Sequence, residues 1–578
     1  MTASRTPVAP APGATGPVRS TGSTLRARWL GTVPYDEALS LQRGLHAHGR
    51  GDHLLLLEHP HVYTLGRHAD ASHVLVDPAS VGAELVPVDR GGDVTYHGPG
   101  QLVVYPVLDL PSMAGGTRPS VRAYVDLLEQ VVIDALEELG LPGAGRHDGF
   151  PGVWVEPGSP GARKVAAIGV RVERGRSLHG VALNVSPDLG MFDHIVPCGI
   201  TDHGVTSLAA EGVDVPMGRA VDAVVAAFTR RWGPGAVDRA DVLGPRGVGD
   251  ADLAPFSRGA GPGERTTGAN ATAGGTSVRL LGRLTRAGVT SSVPLTDRKP
   301  DWMRAPVHHG PEVLQVRRTL RDLDLVTVCE EAGCPNLSEC WSDGTATFMV
   351  CGERCTRACG FCLVDTRHPS PLAVDEPDRV AEAVDRMGLA HAVVTMVARD
   401  DLPDGGAAHV AATVRAVRER RPGTRVEVLI SDLRGSAGAL DVVLAERPDV
   451  VNHNIETVAR LQRAVRPSAG YARSLALLAR SAAAGLVTKS GLVLGLGETG
   501  DEVVATLADL ASVGVSIVTI GQYLRPTSHH LPVARWWEPA DFDRFAAVGR
   551  DLGLAHVEAS PFTRSSYHAR AAADGAGA

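Results

Sequence analysis

The sequence has no apolar run approaching the eighteen or more residues of a membrane span; its longest candidates, such as Leu54 to Leu57, are only strand length. It has little cysteine, 8 residues in 578, too few for a secreted disulfide scaffold of this size. It also lacks a cationic excess. A formal charge of −8 argues against a nucleic-acid binder that works by counterion release. The first 24 residues contain no apolar core for a secretory signal, and no acidic residue precedes Asp36. Organellar transit peptides share that last trait, but Ala, Pro, Ser, Thr and Gly dominate, and residues 1–25 read as a disordered tail on a cytoplasmic protein without a membrane.

What is present divides into two globular regions. The length suggests two or three domains at about 100–200 residues each. From 234 to 277 Gly, Pro and Ala dominate with no sustained apolar period, which is linker composition. Before it, over 26–233, Ser120 is placed to cap a helix bearing Val121, Tyr124, Val125, Leu128, Val132, Leu136 and Leu139, ended by Gly140. Strand-like runs at Val153 to Glu156, Lys164 to Glu173 and Leu178 to Val185, with short glycine turns between them, predict an α+β domain with a largely antiparallel sheet. Over 278–570 the pattern alternates. Apolar runs at Ala392 to Met396, Val426 to Ile430, Val450 to Asn452, Thr488 to Leu494, Ile517 to Ile520 and His556 to Ala559 are separated by helix-length segments. That predicts parallel strands with right-handed crossovers, an α/β partial or complete barrel, and chemistry at the strands' C-terminal ends, at Asn452 to Asn454, Lys489 to Gly491 and Gln522 to Tyr523. Residues 571–578 read as a second disordered tail.

Seven of the eight cysteines fall between Cys329 and Cys362. Cys355, Cys359 and Cys362 form C-x3-C-x2-C within CTRACGFC. Three thiolates on one loop can each take one iron of a [4Fe-4S] cube and leave the fourth iron open. Zinc would want paired spacings and a fourth ligand, and unrelated core thiols are the remaining reading. The motif resembles that of the radical S-adenosylmethionine superfamily. There the open iron takes S-adenosylmethionine, which is cleaved to a radical able to remove hydrogen from a C–H bond. A second incomplete set, Cys329, Cys334 and Cys340, lies in CEEAGCPNLSECW, and Arg564-Ser565-Ser566-Tyr567 lies near the C-terminus. Together these resemble lipoyl synthases, as do RDDLPDGGAAH, HNIETV, TKSGLVLGLGET and GQYLRPTSHHLPV. Met396 and Ala398 depart from the family pattern. The resemblance implies two [4Fe-4S] clusters, with Ser566, or failing it Ser565, as the fourth ligand of the auxiliary cube. It also implies two sulfur insertions, at C6 and C8 of an octanoyl chain, with the auxiliary cube as sulfur donor and an external electron donor. Cys351 belongs to neither set and reads as a small buried apolar residue.

Cys198 stands alone. A cysteine beside a lysine makes an acyl-transfer unit, because an ammonium favours the thiolate and the thiolate can carry an acyl group. Arg90-Gly91-Gly92-Asp93-Val94-Thr95-Tyr96-His97, Lys164 opening KVAAIGVRV, HGVALN from His179, and PCGI around Cys198 together resemble lipoyl(octanoyl) transferases, whose fold is shared with lipoate and biotin ligases. The resemblance implies Cys198 as the thioester nucleophile and Lys164 as its activating base. Arg90, Gly91, Gly92, Asp93, Val94, Thr95, Tyr96, His97, Ala167, Ile168, Gly169, Gly180, Val181 and Ala182 would line the acyl site, with His97 and His179 as positioning residues. The implied partners are octanoyl acyl carrier protein and the lipoyl carrier domains of 2-oxoacid dehydrogenase complexes and the glycine cleavage H protein. The reading is a bifunctional lipoylation enzyme. Its alternatives are an ATP-dependent lipoate ligase in the first half, or an iron–sulfur electron-transfer module in the second.

Overall fold

The computed structural model describes residues 22–111, 120–199, 202–242, 283–290, 292–293, 298–303, 311–327, 336–342 and 346–577. Cys329, Cys334, most of the expected linker and the first 21 residues of the expected tail lie outside them. Contacts divide the chain into two compact units, one on residues up to 27 with 51–239, the other on 28–50 with 240 onwards. The helix Tyr35–His48 therefore groups with the second unit. Among the described residues no helix is long and apolar enough to cross a membrane.

The first unit is α+β. From Asp52–Glu58 its nine-stranded sheet continues through Gln101–Val107, Arg176–Asn184, Arg163–Glu173, Phe150–Val155 and Gly145–His147, each pair antiparallel. The short strand Gly204–Val205 runs parallel beside Arg163–Lys164. A second sheet joins Glu84–Pro87, Val62–Leu65 and Val94–His97. The helix begins where Ser120 predicts it: the Ser120 hydroxyl accepts from Ala123 N at 3.2 Å, and the helix Val121–Leu139 ends on left-handed Gly140. One correction concerns the linker. Ala236–Asp241 is a strand at the sheet's edge, where backbone pairing suffices and side-chain pattern carries little signal.

The second unit carries an eight-stranded sheet in sequence order, Val326–Thr327, Ala346–Val350, His391–Met396, Arg425–Leu429, Val450–Asn452, Val487–Leu494, Ile517–Gln522 and His556–Ala559. The first pair is antiparallel and the rest are parallel, and the first and last strands do not pair. Helices such as Ala407–Arg420, Tyr471–Ala483 and Gly500–Ser512 supply the crossovers. Strands covered on both faces need no polar alternation, which is why Val393, Val394, Val450, Val451, Ile517 and Val518 occur as adjacent buried pairs. The end of the chain also departs from expectation. Ala569–Ala576 is a helix that buries Ala569, Ala572 and Ala573, and Asp574 pairs with Arg425 at 2.7 Å. Alanine's high helix propensity and the i, i+3, i+4 spacing explain it, whereas composition alone predicts a tail.

Candidate active sites

In the second unit the cysteine loop follows Ala346–Val350. Cys351 ends that strand in the left-handed region (φ 69°), fully buried with its Sγ 3.9 Å from Gly406 O, as a small core residue would be. The loop is pinned by its backbone. Cys355 N donates to Asp365 O at 2.8 Å, and Thr356 N and Oγ both donate to Ala398 O at 3.0 Å. Gly360 N reaches Val465 O, and Leu531 N reaches Gly360 O, each at 2.9 Å. A Cβ at Gly360 would stand 2.4 Å from Leu531, so that crossing requires glycine. Arg357, between two of the cysteines, donates to Asp400 through Nε (2.7 Å) and Nη2 (2.8 Å), and to buried Asp432 through Nη2 (2.6 Å). Burial alone would raise the Asp432 carboxyl, but the Arg357 guanidinium outweighs it and brings it to about 2.

The three thiols form one electrostatic group. Burial raises all of them, Cys355 to about 11, and Cys359 adds to the rise at both Cys355 and Cys362. Free thiolates are disfavoured in such a place unless a cation takes them, so the donor set suits metal coordination, which deprotonates each thiol. Among the described residues no three His, Cys, Asp or Glu side chains converge on a single ion. Cube ligands, each on its own iron, need no such convergence.

The serine segment touches Asn454 and the short helix Leu337–Ser342 that carries Cys340. Asn454 Nδ2 donates to Ser565 Oγ at 2.6 Å, and Tyr567 Oη donates at 3.1 Å to Glu339, the residue before Cys340. Asn336 Nδ2 also donates to Phe562 O at 2.7 Å. Ser565 is thus engaged by Asn454, while Ser566 is buried beside it. Glu456, two residues on from Asn454, is half-buried at φ 65°; desolvation raises its carboxyl and Arg466 opposes the rise.

Several residues expected at the chemistry belong to the core instead. Lys489 is the third residue of its strand and fully buried, its Nζ 3.0 and 3.2 Å from the two oxygens of Glu427. Asn452 Nδ2 donates to Glu427 at 2.8 Å. His453 lies between Ile430 O and Ser474 Oγ, each at 2.9 Å, and burial lowers it to about 4. Gln522 and Tyr523 hold backbone carbonyls of Arg535 and Leu531. Their strand-end positions suggested function, yet their side chains are spent on packing. Arg357, Asp400 and Asp432 carried no signal of their own, since their pairing spans up to 75 residues.

In the first unit the expected acyl-site segments meet. Gly180, Val181 and Ala182 lie directly opposite Gly169, Ile168 and Ala167 in the hairpin. Gly91 N donates to Val170 O at 3.2 Å, and a Cβ at Gly169 would touch Arg90 Cδ at 3.0 Å, so the Arg90 loop lies across the Gly169 backbone. Arg90 Nη2 donates to Thr64 O and Oγ1, both at 2.8 Å. Val94, Thr95, Tyr96 and His97 are the buried strand following that loop. His97 Nδ1 lies 2.7 Å from Gln101 Oε1. Gln101 spends its NH2 on Tyr96 O and Asn184 Oδ1, so its oxygen faces the imidazole and His97 donates. Burial, reinforced by His59, holds His97 well below the usual imidazole range, hence neutral. His179, at φ 59°, pairs with Asp89 at 2.7 Å. Lys164 is buried with its Nζ 4.7 Å from the centre of the Trp154 ring, which packs against His147, Phe150 and His203.

Only three of the 57 basic residues are lysines, Lys164, Lys299 and Lys489. Two of them, Lys164 and Lys489, are buried. Cys198 lies in the short turn Pro197–Gly199. The chain from that turn returns at Val205 to pair with Lys164, and Thr206 N donates to Lys164 O at 2.9 Å.

Residues 34–229 match the lipoyl protein ligase A/B catalytic domain, and 349–510 match the radical SAM superfamily. Over 273 residues the chain is 54% identical to the lipoyl synthase of Rubrobacter xylanophilus, covering 47% of this chain and 85% of that one. It is 51% identical over 287 residues to the lipoyl synthase of Mycolicibacterium paratuberculosis, covering 50% and 94%. Among solved structures, the bipartite lipoate protein ligase of Thermoplasma acidophilum is similar at 18% identity and TM-score 0.32, over 38% of this chain and 86% of that one.

Proposed function

The chain belongs, through its C-terminal half, to the lipoyl synthase family, and from that premise we propose that it completes protein-bound lipoyl groups in two steps on one polypeptide. The first unit, with its ligase A/B-type domain, moves octanoyl from acyl carrier protein to Cys198 and then to a carrier-domain lysine. The second unit inserts sulfur at C6 and C8. What supports the reading is the joint presence, in one domain, of Lys164 on a strand beside which the chain returns from the Cys198 turn, and, in the other, of the CTRACGFC motif together with the RSSY segment.

Cys355, Cys359 and Cys362 would hold a [4Fe-4S] cube, which with S-adenosylmethionine would supply the radical chemistry for removing hydrogen from a C–H bond of the octanoyl chain. Arg357, locked to Asp400 and Asp432, fixes the loop that presents the three sulfurs. In the other domain the Lys164 charge favours the Cys198 thiolate, and neutral His97 and the Arg90 loop shape the acyl pocket.

Incubating the full chain with octanoyl acyl carrier protein, without ATP, is expected to add one octanoyl group to wild type and none to Cys198→Ala, seen by intact mass. A strict ATP requirement without an adduct would favour a ligase.

Cys329, Cys334, Cys340 and Ser566 are the proposed holders of the auxiliary cube, which serves as sulfur donor. A neutral serine is a weaker iron ligand than a thiolate. Ser566→Ala is therefore expected to retain about eight irons while sulfur insertion falls roughly tenfold and the electron paramagnetic resonance of the reduced auxiliary cube shifts. Unchanged insertion with an unchanged spectrum would remove Ser566 from the ligand set.

A further inference from the structure

We propose that Trp154 is the positioning residue of Lys164, holding its ammonium on the indole face so that the charge is fixed in place yet left uncancelled, a role that rests on the thioester reading above. Lys164 Nζ lies over the Trp154 ring, 4.7 Å from its centre, within reach of a cation–π contact. Among the described residues no ion pair or hydrogen bond engages that ammonium. The other buried lysine makes the contrast: Lys489 Nζ is neutralised by Glu427 at 3.0 and 3.2 Å. A carboxylate cancels an ammonium, whereas the quadrupole of a ring attracts it and leaves its full charge to act on a thiolate.

The backbone brings the two side chains together. Where Phe150–Val155 pairs with Arg163–Glu173, Val153 stands opposite Ala166, and the next register partners are Trp154 and Lys164. Val165 is therefore an extra residue, a bulge. An unbroken register would face Trp154 with Val165; the bulge puts Lys164 there instead, and directly opposed residues are close enough for their side chains to meet. Gly152 completes the cradle. A Cβ at that glycine (φ 125°) would stand 2.6 Å from Ala166 O and 3.4 and 3.5 Å from Lys164 Cε and Cδ, so the lysine stem passes over a stretch of backbone that requires glycine.

The ring is fixed as well. Trp154 is buried, and its Nε1 donates to Phe150 O at 3.0 Å. Phe150, His147 and His203 pack around it, with ring centres 6.1, 5.1 and 5.5 Å from its own. An indole pinned by its N–H and walled by three rings presents one orientation to the lysine. Packing alone would need an apolar body of this size at 154 and would be indifferent to the electron density of its face. A positioning role through the ammonium depends on that density.

The test uses the full chain, with tryptophan analogues bearing one, two or three ring fluorines installed at position 154 alone. Fluorine keeps the shape of the ring and its N–H and withdraws charge from its face stepwise. Octanoylation by the octanoyl thioester of pantetheine is followed by intact mass, and iodoacetamide alkylation of Cys198 by peptide mass. Both rates are expected to fall about twofold per fluorine. Trp154→Leu is expected to lose about 30-fold, and Trp154→Phe, which restores a face, to recover part of that loss. In a Lys164→Met chain alkylation should be slower and unaffected by fluorine, as for a residue that acts through another. Rates that ignore fluorine in the chain with Lys164 would overturn the proposal, and so would the same decline in Lys164→Met. Octanoyl found on a Cys198→Ala chain would instead overturn the thioester reading itself.

Discussion

A chain with alanine at Cys355, Cys359 and Cys362 is expected to form no 5′-deoxyadenosine and no lipoyl product, yet to keep octanoylating a carrier domain and to hold about four irons instead of about eight. The argument rests on what fixes the loop. Its anchors are backbone bonds from Cys355 to Asp365, Thr356 to Ala398, and Gly360 to Val465 and Leu531, together with the Arg357 guanidinium on Asp400 and Asp432. None of these uses a sulfur atom. Removing the thiols takes away the iron ligands and leaves the scaffold, so the loss is chemical and the fold survives. Replacing Arg357 attacks the scaffold and should instead lower the iron content without abolishing it. Iron and sulfide analysis, far-ultraviolet circular dichroism and mass spectrometry of the carrier separate the two outcomes. Deoxyadenosine at the wild-type level from the triple variant would mean that these cysteines do not hold the cluster that S-adenosylmethionine meets.

The two sites were not equally legible in the sequence. The parallel strands announced themselves, because a strand covered on both faces must be apolar throughout, and Val393-Val394 or Ile517-Val518 can be little else. The hairpin pairing of Ala167–Gly169 with Gly180–Ala182 follows from two runs and a short turn. What local pattern cannot carry is a partner chosen across the fold. Arg357 sits inside a motif, but its closure on Asp432 joins residues 75 apart. His73 and Asp93 belong to different segments that converge on the Cys198 turn. Strand-end position misled at Lys489 and His453, since a polar residue at a strand's end suggests chemistry until its buried partner is known. Composition misled at Ala569–Ala576, where the alanines that suggest a tail are those that pack as a helix.

Lys489 and Glu427 carry the second large effect. Both are fully buried, and Asn452 and His391 complete the shell around the carboxylate, His391 Nε2 at 3.5 Å. Burial pushes the Glu427 carboxyl up, but the Lys489 ammonium, with His391 and Asn452, outweighs it and brings it down to about 2 from its ordinary 4.5. Glu427→Gln would leave the ammonium buried without a counter-charge, which is expected to destabilise the second unit by about 3–5 kcal/mol. That corresponds to a melting temperature lower by roughly 10 °C for a domain of this size. Glu427→Leu with Lys489→Met should recover most of the loss, because removing both charges also removes their desolvation. The acid dependence follows from the sign of the shift. A depressed carboxyl contributes stability that is fully present above pH 4.5 and is lost as pH falls through about 2. The gap between wild type and Glu427→Gln should therefore be widest near neutrality and close progressively below pH 4.5. Calorimetry of both chains across that range measures the gap directly, and a gap independent of pH would show that the Glu427 charge does not hold this core together.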